Sequence, residues 1–415
     1  MQDTSFVPFT EEMKKDYTIL VPNMLPTHFK LMINIFKTHG YNMELLETTG
    51  PQIAETGLKY VHNDTCYPAI VVTGQFMDAL LSGKYDTHKT ALIMFQTGGG
   101  CRASNYISII RKALKKANME YVPVISINFS GLEKNPGFSL TPEILHSLMY
   151  ATFYGDLIMT LKNQVMPYEI TKGDAESLGE KWTDILGKEL GKSKKIKYKH
   201  VKENYKKIID DFAAIPVVND KKIKVGIVGE IFVKYSPLAN NNLEKTLMRE
   251  GAEVVVPGLV DFMLYIAYNG IMDYKLYDKN RMSSLVWYLA FKFLCMKKMD
   301  IIKLLQQSNR FEAWTPFERV TKLANGLISV AVKMGEGWLL TAEMMELADT
   351  GCSNIVCTQP FGCLPNHICG KGMMKPLKEL KPDINIMAID YDASASRVNQ
   401  ENRLKLMLAN AKKAA

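Results

Sequence analysis

A chain of 415 residues exceeds what one ordinary hydrophobic core serves, so two α/β domains with helical elaboration are expected. Its 47% hydrophobic and 23% charged content, without any low-complexity tract, excludes a disordered or fibrous protein. The net charge of +8 comes partly from "GKSKKIKYKHVKENYKK" (Gly191 to Lys207), whose lysines fit a solvated helix face and whose aromatics form no stacking series, so no nucleic-acid partner is expected.

The opening "MQDTSFVPFTEEMKKDY" lacks the basic and apolar regions of a secretory signal, and no apolar run reaches a membrane span. A cytoplasmic protein without membrane contact is expected. Tyr17 to Met24 reads as a strand, Thr27 to Gly40 as a helix closed by glycine, and Asn42 to Glu47 as the next strand. Such a βαβ opening implies a parallel sheet. A further strand is expected at Ala91 to Phe95. From Thr141 to about Phe212 the pattern is helical, with polar breaks near Gly173 and Gly191. The βαβ grammar returns at Lys222 to Glu230 and Ala252 to Gly258. The expected organisation is a first α/β domain over 1–140, a helical connector over 141–216 and a second α/β domain over 217–415. Within the second, the helical block 274–307 carries "LVWYLAFKFLCMKKM", apolar on most faces and therefore expected to be buried, with Cys295 as a packing residue. The last hundred residues resume α/β order, with strands near "SNIVC" and "INIMAIDYD" and a final helix from about Arg397. Both halves read as variants of one doubly wound plan, in which ligands bind where loops leave the carboxyl ends of strands.

Seven cysteines stand at 66, 101, 295, 352, 357, 363 and 369. An odd count without a secretory signal argues for reduced thiols, metal ligands or packing over a disulfide framework. Cys101, in "FQTGGGCRASN", lies at a strand-to-helix turn with Ser104 as the expected N-cap. Cys66 stands two residues before Pro68, and Cys363 two before Pro365, so all three share a position at the mouth of a helix. Unpaired N–H groups and the helix dipole there are expected to lower a thiol's pKa, and thiolates are what metals bind. Gly98, Gly99 and Gly100, and again Gly362, remove bulk and expose N–H groups, which makes room for an anionic cluster. Two other readings remain open. The glycine-rich turn is a phosphate cradle, although it has neither the GxGxxG spacing nor a Walker lysine; or the C-terminal cysteines with His367 hold zinc, although the C-x₂₋₄-C spacing is absent.

"CYP" at 66–68, the glycine-rich Cys101 thirty-five residues later, "QPFGCLPNH" and "INIMAIDYDASASRVNQENRLKLML" together resemble the 2-hydroxyacyl-CoA dehydratase superfamily. The likeness is nearest to the cluster-binding portion of acyl-CoA dehydratase activase-related proteins. It covers most of the chain in order and is weakest over 185–215. The resemblance implies two Rossmann- or flavodoxin-like domains with an oxygen-sensitive 4Fe-4S cluster between them, held by Cys66, Cys101 and Cys363. It also implies low-potential electron chemistry of a lyase on an acyl-CoA substrate, anaerobic metabolism, and a homo- or heterodimer with a homologous subunit. No phosphate motif of an actin-like ATPase is visible, so an ATP-dependent activator would be a separate polypeptide. Cys352, Cys357 and Cys369 depart from the pattern. Cys357 either replaces or joins Cys363, and extra thiols open the reading of an 8Fe-9S double-cubane reductase or electron carrier. A non-catalytic α/β binding protein is the third reading. Among other polar groups, Glu230 ends a strand as an acid, a base or a helix cap; Arg102 binds a CoA phosphate or pairs on the surface; His367 is expected to hydrogen-bond beside the cluster.

Overall fold

In the computed structural model, residues 6–96, 100–127, 133, 135–192 and 196–414 are described. Eight short apolar segments form strands, and every pairing between them is parallel. β1 (Thr18–Pro22), β2 (Met43–Leu46), β3 (Thr90–Phe95) and β4 (Val124–Ile127) make one sheet in the order β2-β1-β3-β4. β5 (Ile223–Gly229), β6 (Ala252–Val255), β7 (Asn354–Pro360) and β8 (Asn385–Tyr391) make the second in the order β6-β5-β7-β8. All of β4 is buried, and β7 is buried from Ile355 to Pro360, as strands covered on both faces by crossover helices must be. The chain is therefore α/β, compatible with two Rossmann-like domains. In each sheet the strand order reverses once, between β1 and β3 and between β5 and β7. That reversal is the topological switch point at which loops diverge and leave a crevice.

Between the sheets in sequence, helices Pro142–Val165, Asp174–Lys192 and Tyr198–Ala213 pack with Pro26–Thr38 around Leu31, Tyr154, Leu186 and Ile208. The lysine-rich segment behaves as a solvated face: in Tyr198–Ala213, Val201, Tyr205, Ile208 and Phe212 are buried at helical spacing while Lys199, Lys202, Lys206 and Lys207 are exposed. A separate apolar cluster runs without a break from Leu92 and Ile110 under the first sheet to Val225 and Tyr391 of the second, so the two halves share core.

One expectation is overturned. The block read as buried is a helical hairpin, Leu259–Tyr277 and Arg281–Ser308, turning through Asp278 in the left-handed conformation. Its far half packs, with Leu294, Ile301 and Leu305 buried and Cys295 half-buried against them. Its near half does not, because Met282 to Leu289 project beyond the body and are exposed on almost every face. Among the described residues, no helix is long and apolar enough to cross a membrane.

Candidate functional site

Local sequence explains how each thiol is presented. Cys66 occupies the N-cap of helix Tyr67–Leu81 and Cys363 that of Leu364–Cys369, each with proline in the first turn, where its fixed φ and missing N–H fit. Cys101 caps a 3₁₀ turn, Arg102–Asn105, that leads into helix Tyr106–Lys116. None of the three side chains makes a capping hydrogen bond, and no cysteine is in a disulfide. The thiols are thus presented by the backbone at three chain turns, and none is consumed in a disulfide. Ser104 is not the N-cap. A 3₁₀ turn intervenes, the Ser104 hydroxyl donates to the Cys101 carbonyl at 2.6 Å, and Asn105 takes the position before the helix.

A closed circuit of contacts brings the three turns together. The Cys66 thiol lies 3.2 Å from the Tyr106 hydroxyl, on the helix that follows Cys101. The Tyr67 amide donates to the Phe361 carbonyl at 3.0 Å, joining the Cys66 turn to the Cys363 turn across the two sheets. Gly362 has φ +73°, and a Cβ there would stand 3.1 Å from the Cα of Cys66, so glycine is what allows these backbones to touch. Pro365 packs against Gly335, where a Cβ would stand 3.2 Å from its own Cβ, and the Gly100 amide donates to the Met334 sulfur at 3.2 Å. The circuit therefore returns to Cys101. Glu230, Cys101 and Cys363 all lie just beyond the carboxyl ends of β5, β3 and β7, at the reversal of strand order in their sheets.

Two carboxylates share this neighbourhood. Glu230 caps the short helix Ile231–Tyr235 by accepting from the Val233 amide at 2.9 Å, so its capping role is real. Glu336, between Gly335 and Gly337 at the head of helix Gly337–Asp349, accepts from the Ile231 amide at 2.7 Å. Burial, then repulsion from Glu336, pushes the Glu230 carboxyl up to about 8. Burial raises Glu336 as well. The thiols move the same way. Burial raises Cys66 against the Tyr106 hydrogen bond, and burial reinforced by Glu336, Glu230 and Cys66 brings Cys101 to about 11. Burial together with Glu336 and Glu230 drives Cys363 higher still. The expectation of thiols lowered by helix N-termini is corrected: desolvation, reinforced by nearby carboxylates, outweighs the pull of the helix N-terminus at each thiol. A positive metal centre inverts that balance by deprotonating a coordinating thiol outright.

The remaining expected residues divide. Gly98 and Gly99 lie outside the described residues, whereas Gly100 makes the contact already given. Arg102 is exposed, forms no ion pair among the described residues, and lowers the Cys66 thiol through its charge. His367 is exposed and makes no side-chain hydrogen bond to the cysteines among the described residues. Cys357 lies inside β7, fully buried, its sulfur 3.9 Å from Asn366 Oδ1, in an apolar cluster with Cys352 and Cys369 behind the sheet. Contacts thus join the turns that carry Cys66, Cys101 and Cys363, whereas the Cys357 sulfur lies in the apolar cluster with Cys352 and Cys369. Glu336 was missed. Its signal is the "GEG" before a helix that leads into β7, the place Cys66 holds before the helix that leads into β3.

Among the described residues, no three His, Cys, Asp or Glu side chains gather closely enough to hold one metal ion. Around a single ion two thiolates stand only about 4 Å apart, given metal–sulfur bonds of about 2.3 Å, whereas a cluster distributes its ligands over separate irons and suits a wider array. No family model matches this sequence, and no curated protein matches it.

Proposed function

We propose that the chain is an iron–sulfur protein of the 2-hydroxyacyl-CoA dehydratase type, with Cys66, Cys101 and Cys363 holding a 4Fe-4S cluster between two Rossmann-like domains. The observation that supports this reading is that contacts join the turns of three N-cap cysteines, none of them in a disulfide, that come from two parallel sheets. The donor set is soft and suits iron–sulfide. When bound, such a cluster supplies one-electron chemistry at low potential.

The residues of the chain have separable tasks. Tyr106 hydrogen-bonds the Cys66 sulfur, and hydrogen bonds to ligand sulfurs tune potential. Glu230, pushed up to about 8, holds a proton at neutral pH and is suited to giving or taking one at the substrate, and burial raises Glu336 beside it in the same direction. Arg102, exposed beside Cys101, offers a guanidinium fork to the phosphates or carboxylate of an acyl-CoA. Phe95, Phe361 and Leu364 expose apolar surface on the segments that carry the thiols, suited to an acyl chain or to a separate ATP-dependent electron donor. We adopt the single cubane over the 8Fe-9S double cubane because Cys352, Cys357 and Cys369 belong to the apolar cluster behind β7.

Anaerobic purification followed by iron and sulfide analysis tests the proposal. We expect about four irons per chain, with thiolate-to-iron absorbance that is lost in Cys101→Ser and retained in Cys357→Ser. Equal iron in wild type and Cys101→Ser refutes the ligand set. Formation of enoyl-CoA from a 2-hydroxyacyl-CoA with a reduced activator then tests the reaction, and iron-loaded protein inert in that assay refutes the dehydratase assignment alone.

A further inference from the structure

Next to the site, a row of carboxyls outnumbers the cations that accompany it. Glu336 at the head of helix Gly337–Asp349, and Glu343 and Glu346 within it, stand seven and three residues apart. They therefore share one face and span about 15 Å at about 1.5 Å per residue. The short helix Ile231–Tyr235 meets that face twice: the Ile231 amide donates to Glu336 at 2.7 Å, and the Lys234 ammonium donates to Glu343 at 3.2 Å. At the far end Glu346 lines a half-open cavity of about 100 Å³ together with Asp261, Lys298 and Thr315, and Lys298 donates to Asp261. Such a volume has room for about three waters at about 30 Å³ each. With Glu230, the row has five carboxyls against the two ammonium groups of Lys234 and Lys298. Glu336, Glu343, Asp261 and both lysines are buried. Carboxyls in excess of cations in such a place hold protons. Burial, then the charge of Asp261, brings Glu346 to about 7, and burial raises Glu343 against the opposing charge of Lys234.

We infer that this row is a proton path, by which the cavity beside Glu346 delivers protons to Glu336 and Glu230. The rim of the site calls for such an entrance. Phe95, Phe361 and Leu364 are exposed on the segments that carry the thiols, and whatever covers them excludes water from that side. In one passage Glu346 takes a proton from cavity water and passes one to Glu343, its neighbour one turn away; Lys234 takes that proton as it gives one to Glu336. One proton enters, one arrives, each relay group returns to its starting state, and no other bond changes. Lys234 is placed for this, since its charge acts on Glu336 and Glu230 alike. Asp261 and Lys298 pair with each other beside the relay, and Asp156, which also lines the cavity, is held by His28 at 2.8 Å. The inference rests on the reading of Glu230 as the group that exchanges a proton with substrate, and not on the cluster.

Deuterium exchange of the Glu336 carboxyl in the metal-free full chain tests it, followed by stopped-flow infrared spectroscopy through the shift of the C=O stretch that Glu336→Gln removes. Lys234→Met with Glu343→Leu replaces the middle of the row by apolar side chains. We expect exchange there to slow at least about tenfold, because without the row the carboxyl reaches solvent only by local opening. Loosened packing speeds exchange and a broken row slows it, so the sign of the change separates relay from structure. Should the double variant fail to fold, Glu343→Gln keeps an oxygen to accept from Lys234 and predicts the same slowing. Glu346→Gln is expected to slow exchange as well. A rate in the double variant equal to or above that of wild type overturns the path, and an unchanged rate in Glu346→Gln overturns the cavity as its entrance. Because the assay uses no iron, a refuted path leaves the cluster reading standing, and protein that binds no iron leaves this test intact.

Discussion

The metal-free protein is expected to lose stability as pH rises from 5 to 9, and replacing Glu230 by glutamine is expected to flatten that decline. The wild-type carboxyl titrates near 4.5 when unfolded and, through burial and the charge of Glu336, near 8 when folded. Below 4.5 both states are protonated and the group contributes nothing to the pH dependence. Above it the unfolded chain ionises while the folded chain keeps its proton, so folding takes up a proton and stability falls until about pH 8. At 1.36 kcal/mol per unit of pKa the whole interval corresponds to at most about 5 kcal/mol, and sharing of the proton with Glu336 lowers what Glu230 alone contributes. Glutamine keeps an oxygen to accept the Val233 amide, so the helix cap survives and only the titration is removed. The buried Lys234–Glu343 pair is common to both proteins and cancels in the difference. Urea denaturation of chelator-treated, reduced protein at pH 5, 7 and 9 reads the effect. We expect the variant to match wild type at pH 5 and to exceed it at pH 9. A variant that parallels wild type across the range, or a wild type whose stability rises with pH in this window, refutes the argument.

Two further substitutions separate backbone from charge. Gly362→Val introduces a branched side chain at φ +73° with its Cβ 3.1 Å from Cys66, and should cost about 2–4 kcal/mol and lower iron content; Gly326→Ala, at φ +79° in open space, should cost only the backbone part, about 1–2 kcal/mol, and equal losses in the two would refute the role given to the loop contact. Lys234→Met leaves Glu343 buried without its partner at 3.2 Å and should lower stability by about 3–5 kcal/mol, most of it restored by adding Glu343→Leu; a double variant no better than the single would show that the pair is not the cause.

What was legible in the sequence was local. Alternation of apolar runs with turn residues located seven of the eight strands to within about three residues, as with Ala91 to Phe95 against the observed Thr90–Phe95, and missed β4 (Val124–Ile127). Proline two residues after Cys66 and Cys363 announced helix starts because the ring fits only the first turn. What was not legible depended on which surfaces meet. Cys357 and Cys363 are six residues apart, yet one is inside a strand facing Asn366 and the other beyond its end, and only the length of β7 decides this. The direction of the thiol pKa shifts depends on burial by distant segments, which no spacing encodes. The apolar run at 285–299 says that something must cover it, and the sequence cannot say whether the cover lies in the same chain.

The repetition of the fold gives the site its composition. Both sheets have the same order, and in each the third strand is preceded by a helix and followed by a turn that caps a short helical segment. Cys101 and Cys363 are equivalent under this repeat, since each caps the segment after β3 or β7. Cys66 caps the helix before β3, and its equivalent before β7 is Glu336. Cysteine at all four places would make a site of four soft donors. With glutamate at one, Cys101 and Cys363 lie within the field of a carboxyl whose own pKa burial raises, with Glu230 beside it as a second. The two sheets thus contribute unequally: the first supplies two thiols, and the second one thiol and both carboxyls. Both carboxyls are in this way drawn from one half of the chain and two of the three thiols from the other, and contacts such as Tyr67 to Phe361 join the two halves.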